Sequence, residues 1–129
     1  MGYAGVEALL IPWVAARLDA RGVTDLPANL ADVMPLFQLV RVGGPSDDNN
    51  PRFDMPTITI DYFAADRAAA QALAESGDDL IRVTLPGQQI NGSTFTRSQT
   101  ITGPHWTPYD DTNLRRITSS YRLYIKSRT

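Results

Sequence analysis

Apolar residues recur at three- and four-residue spacing through Val6, Leu9, Leu10, Trp13, Val14 and Leu18, with Asp19 on the opposite face, which is the stripe of an amphipathic helix. Arg17 and Arg21 return to that stripe near its end, where long stems can lie on apolar surface while the charges stay in water. Gly22 supplies a stop, because a left-handed position costs glycine little. Pro12 removes one intrahelical hydrogen bond and predicts either a kink or a helix that begins there. After a loop through Leu26 and Pro27, with one helical turn near Asn29 to Val33, Leu36 to Val42 reads as a strand. Leu36, Val40 and Val42 lie on one face and Phe37 and Leu39 on the other, so both faces are apolar and a central place in a sheet is expected.

Gly43 to Pro56 is rich in turn formers and reads as one long loop, a length that usually accompanies a binding role. Thr57 to Phe63 then alternates, with Ile58, Ile60 and Tyr62 against Thr57, Thr59 and Asp61. Asp66 is placed to cap a second helix running through Ala68, Ala70 and Leu73 towards Leu85, weakened in its middle by Gly77 and ended by Pro86 and Gly87. Asn91-Gly92 is a hairpin signal that joins a short strand near Gln89 to a threonine-rich strand, Thr94 to Thr102, expected at an edge. The last strand, Ile117 to Lys126, sets Ile117, Tyr121, Leu123 and Ile125 against Arg116, Arg122, Lys126 and Arg128. The predicted fold is α+β, a single domain over residues 1–129 in the order α-β-β-α-β-β, with a mostly antiparallel sheet and two helices packed on one face.

With 129 residues, 43% hydrophobic and 20% charged, and a formal charge of -2, the composition is that of one globular domain and excludes a disordered tail or a coiled coil. The longest apolar stretch, Ala8 to Ala16, is too short for a membrane span and lacks the basic flank of a secretory signal. There is no cysteine and a single histidine, His105, so disulfide frameworks and thiolate zinc sites are excluded, and an origin in a reducing cytoplasm is expected. Ser93 and Ser98 lack the setting of a nucleophile elbow. Asp48-Asn49-Asn50 lacks the glycine and glutamate of a calcium loop. Gly43-Gly44-Pro45 does not lead into the Lys-Ser or Lys-Thr of a phosphate loop. No enzyme, metal or cofactor is expected.

Charge is sorted along the chain. Gly43 to Asp66 holds Asp47, Asp48, Asp54, Asp61 and Asp66 against Arg52, whereas Leu114 to Thr129 holds Arg115, Arg116, Arg122, Lys126 and Arg128 with no acid. Such a distribution suits self-complementary assembly, a basic strand of one copy meeting the acidic loop of the next, and suits solvated faces of a monomer or a nucleic-acid contact as well. Gly103 to Asn113 carries Trp106 and Tyr109 beside Pro104 and Pro108. Rigid aromatic anchors of this kind dominate interfaces, although they can also fold back as a lid on the sheet edge.

The runs Thr24-Asp25-Leu26-Pro27-Ala28-Asn29-Leu30, Val42-Gly43-Gly44-Pro45 with Asp47-Asp48, and Phe53-Asp54-Met55-Pro56 leading into Asp61-Tyr62-Phe63-Ala64-Ala65-Asp66 resemble the small tail terminator proteins of phages with long non-contractile tails. So do Gly103-Pro104, Trp106, Pro108-Tyr109-Asp110, Asn113-Leu114-Arg115-Arg116 and Tyr121-Arg122, so that the resemblance covers nearly the whole chain. It implies a virion protein of the tail neck, assembled in the host cytoplasm as a homohexameric ring. The implied partners are the tail tube protein and a head-closure or connector protein, with genomic DNA passing the lumen without specific binding and no membrane contact. Asp47, Asp48, Arg52, Trp106, Tyr109, Arg115, Arg116 and Arg122 are the expected interface residues. Another head-tail connector or minor tail protein, or a small nucleic-acid-binding module, are the alternatives.

Overall fold

A computed structural model describes residues 5–29, 32–44, 53–106 and 115–127. The chain runs α1 (Val6–Leu18), β1 (Arg21–Val23), β2 (Leu36–Gly43), β3 (Phe53–Asp54), β4 (Thr57–Ala64), α2 (Arg67–Asp79), a π-helical turn (Leu80–Thr84), β5 (Gln89–Ile90), β6 (Ser93–Trp106) and β7 (Arg115–Ser127). The seven strands form one sheet in the order β1-β2-β4-β7-β6-β5, with β3 also paired to β7. Only β1 and β2 are parallel; every other pairing is antiparallel. The α+β class and the two helices on one face of the sheet are as the sequence predicts. β1 and β3 are the strands that its periodicity does not reveal, since three and two residues carry no period.

One core holds the layers together. Val6, Leu9, Leu10, Trp13 and Val14 of α1, with Ala70 and Ala74 of α2 and Ile81 and Leu85 beyond it, pack on Phe37, Leu39, Ile58, Ile60, Phe95, Ile117, Leu123 and Ile125 of the sheet. Each fully buried side chain of this size contributes roughly 1.5–3 kcal/mol. On the opposite face, Leu36 and Phe63 form a smaller cluster under Val23, Leu26, Val33 and Met34, so the segment after β1 covers that end of the sheet. Among the described residues, no helix packs over the rest of this outer face.

Several glycines and prolines act differently from what local rules suggest. α1 ends at Leu18, and the left-handed residue that follows is Asp19 (φ 53°), not Gly22. Gly22 lies in β1, where a Cβ would collide with the ring of Phe37 and come within 2.8 Å of Ile11 Cγ2, so the residue is required by packing. α1 runs straight through Pro12. Pro12 is exposed, so the Ala8 carbonyl that loses its partner can bond to water. Gly77 likewise stands inside α2 against the Tyr62 phenol, which occupies the space a Cβ would need. Asp66 caps α2 as expected, accepting from Ala69 N–H at 2.8 Å. Asn91 (φ 49°) and Gly92 (φ 85°) make the predicted tight turn between β5 and β6.

β6 is longer than its alternation suggests, reaching Trp106, and its register on β7 shifts three times. Each shift is a bulge that breaks period-two alternation and raises the local twist, which hides the last four residues, 103–106, from pattern reading. Beyond Thr94, β5 no longer accompanies it, so β6 is an edge strand as predicted. At the other side of the sheet, Glu7 of α1 accepts the Arg41 N–H of β2 at 3.2 Å and occupies a bonding position past the end of β1.

Candidate functional site

The roots of the acidic loop stand at one end of the sheet, whereas the cations of β7 are spread along its length, Arg115 and Arg116 at the far end and Arg122 and Lys126 at the loop's own end. β7 pairs with β4 in a register that sets Arg115 beside Ala64, Arg116 beside Phe63 and Arg122 beside Thr57, and further on β3 sets Phe53 beside Lys126. Arg115 and Arg116 therefore stand at one end. The roots of the acidic loop, Gly44 and Phe53, stand at the other. The ten residues from Arg116 to Lys126 span about 33 Å of strand. Asp47, Asp48, Arg52 and Tyr109 lie outside the described residues.

The loop roots are clamped. Arg41 Nη1 and Nη2 donate to Asp54 Oδ2 at 2.7 Å and Oδ1 at 3.0 Å, a bidentate pair in which the carboxylate is buried. The same guanidinium donates from Nε to the Gly43 carbonyl and from Nη2 to the Gly44 carbonyl, both at 3.0 Å. Met55 N–H adds a bond to Asp54 Oδ1 at 3.0 Å. One arginine thus ties the entry of the loop to its exit. Gly44 (φ 101°) admits no side chain here, since a Cβ would collide with the backbone of Met55 and Thr57. Arg41 and Asp54 are not among the interface residues expected from sequence. The available signal was a lone cation following Phe37 and Leu39 on the inward face of the strand. Arg122, expected to face a neighbour, lies at this end, close to its own chain's loop roots, while Lys126 sits over the Phe53 ring at 5.8 Å.

Trp106 occupies the other end, on β6 and not in a loop, paired with Ile117. Its indole is half-buried against the core, and the guanidinium of Arg67 lies 4.8 Å from the ring centroid, a cation–π contact. The basic end is therefore also an aromatic one, with Arg67 and Trp106 next to Arg115 and Arg116. Arg67 escaped sequence reading because its register at the start of α2 became visible only with the helix bounds.

Beneath α2 lies a half-buried polar cluster. Tyr121 Oη donates to Asp78 Oδ1 at 2.5 Å, and Arg82 Nε donates to Asp78 Oδ2 at 2.9 Å. Burial pushes the Tyr121 phenol well above its ordinary range, and its bond to Asp78 adds to the shift. Burial does the same to Tyr62, with Tyr121 adding to it. Neutral phenols at both positions tie α2 to the middle of the sheet. His105 is exposed on β6, with Nδ1 2.9 Å from the Gly103 carbonyl. Among the described residues, no group of three or more His, Asp or Glu side chains is arranged to hold a metal ion. Among the described residues, no helix is long and apolar enough to cross a membrane.

No protein-family model and no curated protein matches the chain. Among solved structures, a chain of the structure described as "Virion of native gene transfer agent (GTA) particle" superposes with a TM-score of 0.68 over 95% of each chain, at 16% sequence identity. At this identity the likeness shows a shared fold.

Proposed function

We propose that this chain is a structural subunit of a phage-like virion, forming a ring that caps the tail tube, ends its polymerisation and joins the tail to a head-closure complex. The observation that carries the proposal is the polarity of the domain, an acidic loop with clamped roots at one end of the sheet and a basic, tryptophan-bearing end at the other. Arg115 and Arg116 stand a strand's length from the roots of their own acidic loop. They can meet the acidic loop of another copy arranged head to tail, and a heterologous contact of that kind closes into a ring when its rotation permits. The shared fold with a chain of a gene transfer agent virion and the resemblance to tail terminators support the same reading. Its partners are further copies of itself in a hexamer, the tube protein on one face and the head-closure protein on the other, with DNA passing through the open centre.

Asp47 and Asp48 of one copy would meet Arg115 and Arg116 of the next. Asp47→Lys with Asp48→Lys is expected to leave the monomer folded and to abolish incorporation into particles, read by quantifying the protein in purified virions. Normal incorporation of the doubly reversed chain would refute the pairing.

A further inference from the structure

The uncovered face of the sheet offers a second, independent complementarity. Its outward positions on β4, β6 and β7 are short and polar, among them Thr57, Thr59, Gln99 and Ser120, and they carry Arg97, Arg122 and Lys126. Arg97 lies over the Tyr124 ring at 5.3 Å, and Tyr124 Oη donates to Gln99 Oε1 at 3.1 Å, so these side chains are held in place. The one carboxylate at an outward position of these strands, among the described residues, is Asp61, which accepts from Thr118 Oγ1 at 2.6 Å. Arg97, Arg122 and Lys126 form no ion pair among the described residues.

The matching surface is on the other side of the same domain. Along α2, Ala68, Ala72, Glu75 and Asp79 fall within about 60° of one another at 100° per residue, and all four are exposed. Two alanines lower the ridge enough for its backbone to approach a flat surface. Neither Glu75 nor Asp79 has a cationic partner among the described residues, since Arg82 is engaged by Asp78 and Arg67 by Trp106. Spacing agrees as well as sign. Glu75 and Asp79 are one turn apart, about 6 Å between Cβ atoms. Arg97 and Arg122 are diagonal neighbours across β6 and β7, about 7–8 Å apart, within the reach of arginine stems.

We infer that the uncovered sheet face of one copy receives the α2 ridge of a second copy, with Arg97 and Arg122 engaging Glu75 and Asp79. This deepens the ring reading and rests on it. The contact uses side chains other than Asp47, Asp48, Arg115 and Arg116, so the two contacts can be tested separately. Nucleic acid is the other polyanion a basic face could take, but a chain of net charge -2 that carries a fitting acidic ridge of its own favours self-association.

The test is charge reversal with restoration. Arg97→Glu/Arg122→Glu and Glu75→Arg/Asp79→Arg are each expected to lower the fraction of chain in rings and in particles by about tenfold or more, because like charges then face each other. The fourfold variant, with both surfaces reversed, is expected to recover most of the loss. Glu75, Asp79 and Arg97 are exposed and Arg122 is half-buried with its Nε out of water, so the melting temperature measured beside each assembly readout separates loss of the contact from loss of the fold, and Glu75→Arg/Asp79→Arg should melt as the wild-type monomer does. Rings that form normally in both double variants, or a fourfold variant no better than the doubles, would overturn this contact while leaving the ring reading in place. Wild-type chain that is neither oligomeric in solution nor present in particles would overturn both. Salt-dependent duplex DNA binding that Arg97→Glu/Arg122→Glu abolishes while assembly continues would assign the face to nucleic acid instead.

Discussion

At Gly77 a single missing methyl group decides how closely α2 lies on the sheet, since the Tyr62 phenol fills the space a Cβ would take. Gly77→Ala gains helix propensity of about 1 kcal/mol, yet it overpacks a filled contact at a cost of roughly 1–3 kcal/mol. A net loss of stability in urea denaturation is therefore expected. The neighbouring phenols set an alkaline limit. Tyr62 and Tyr121 both titrate above their ordinary value when folded, because burial disfavours the phenolate. Their contribution is complete below the unfolded value of about 10 and declines above it, as the unfolded chain releases protons that the folded one retains, by up to about 1.4 kcal/mol per pH unit for each tyrosine. Tyr62→Phe should lessen the slope of stability against pH above pH 10. Trp106 combines two roles. Its half-buried indole makes Trp106→Ala destabilising by about 1–2 kcal/mol, part of the loss for a fully buried tryptophan. The monomer should still fold, and its incorporation into particles should fall, whereas intact assembly beside a large drop in melting temperature would make the residue a lid alone.

At the scale of elements, the Arg41 clamp determines where the acidic loop leaves the domain. Arg41→Ala removes the bidentate partner of a buried carboxylate and is expected to cost about 3 kcal/mol. Proteolysis between Gly44 and Phe53 should accelerate at the same time, and unchanged cleavage would show that the loop roots hold without the arginine. The long elements were legible because burial imposes a period: α1 shows its stripe, and β4 and β7 alternate as their inward positions require. Asp66 and Asn91-Gly92 were legible because capping and tight turns depend on residues close in sequence. Gly22 was misread, since the ring of Phe37 that excludes a side chain there is brought close only by the tertiary fold. The last four residues of β6, 103–106, were read as loop because the bulges before them shift the register. The partners of Arg41 and Arg67 were hidden for the same reason, both pairs joining residues far apart in sequence. Of the expected site, the sequence showed which segments carry the charge, and the sheet register places Arg115 and Arg116 far from the loop roots and Arg122 and Lys126 beside them.

At the scale of the whole molecule, a tube of identical rings has no intrinsic last ring, because each added ring exposes the same acceptor face. A terminating subunit must match the tube on one side and refuse it on the other, so its two ends must differ chemically. In the proposed reading the two ends of this domain supply that difference, the acidic loop at one and Arg115, Arg116 and Trp106 at the other. The central claim is that the chain ends tube growth, and the direct measurement is the distribution of tube lengths, by electron microscopy, in particles produced without this protein. Heads without tails, together with free tubes of irregular and excessive length, are the predicted result. Tubes of normal, uniform length joined to heads would contradict the terminating role.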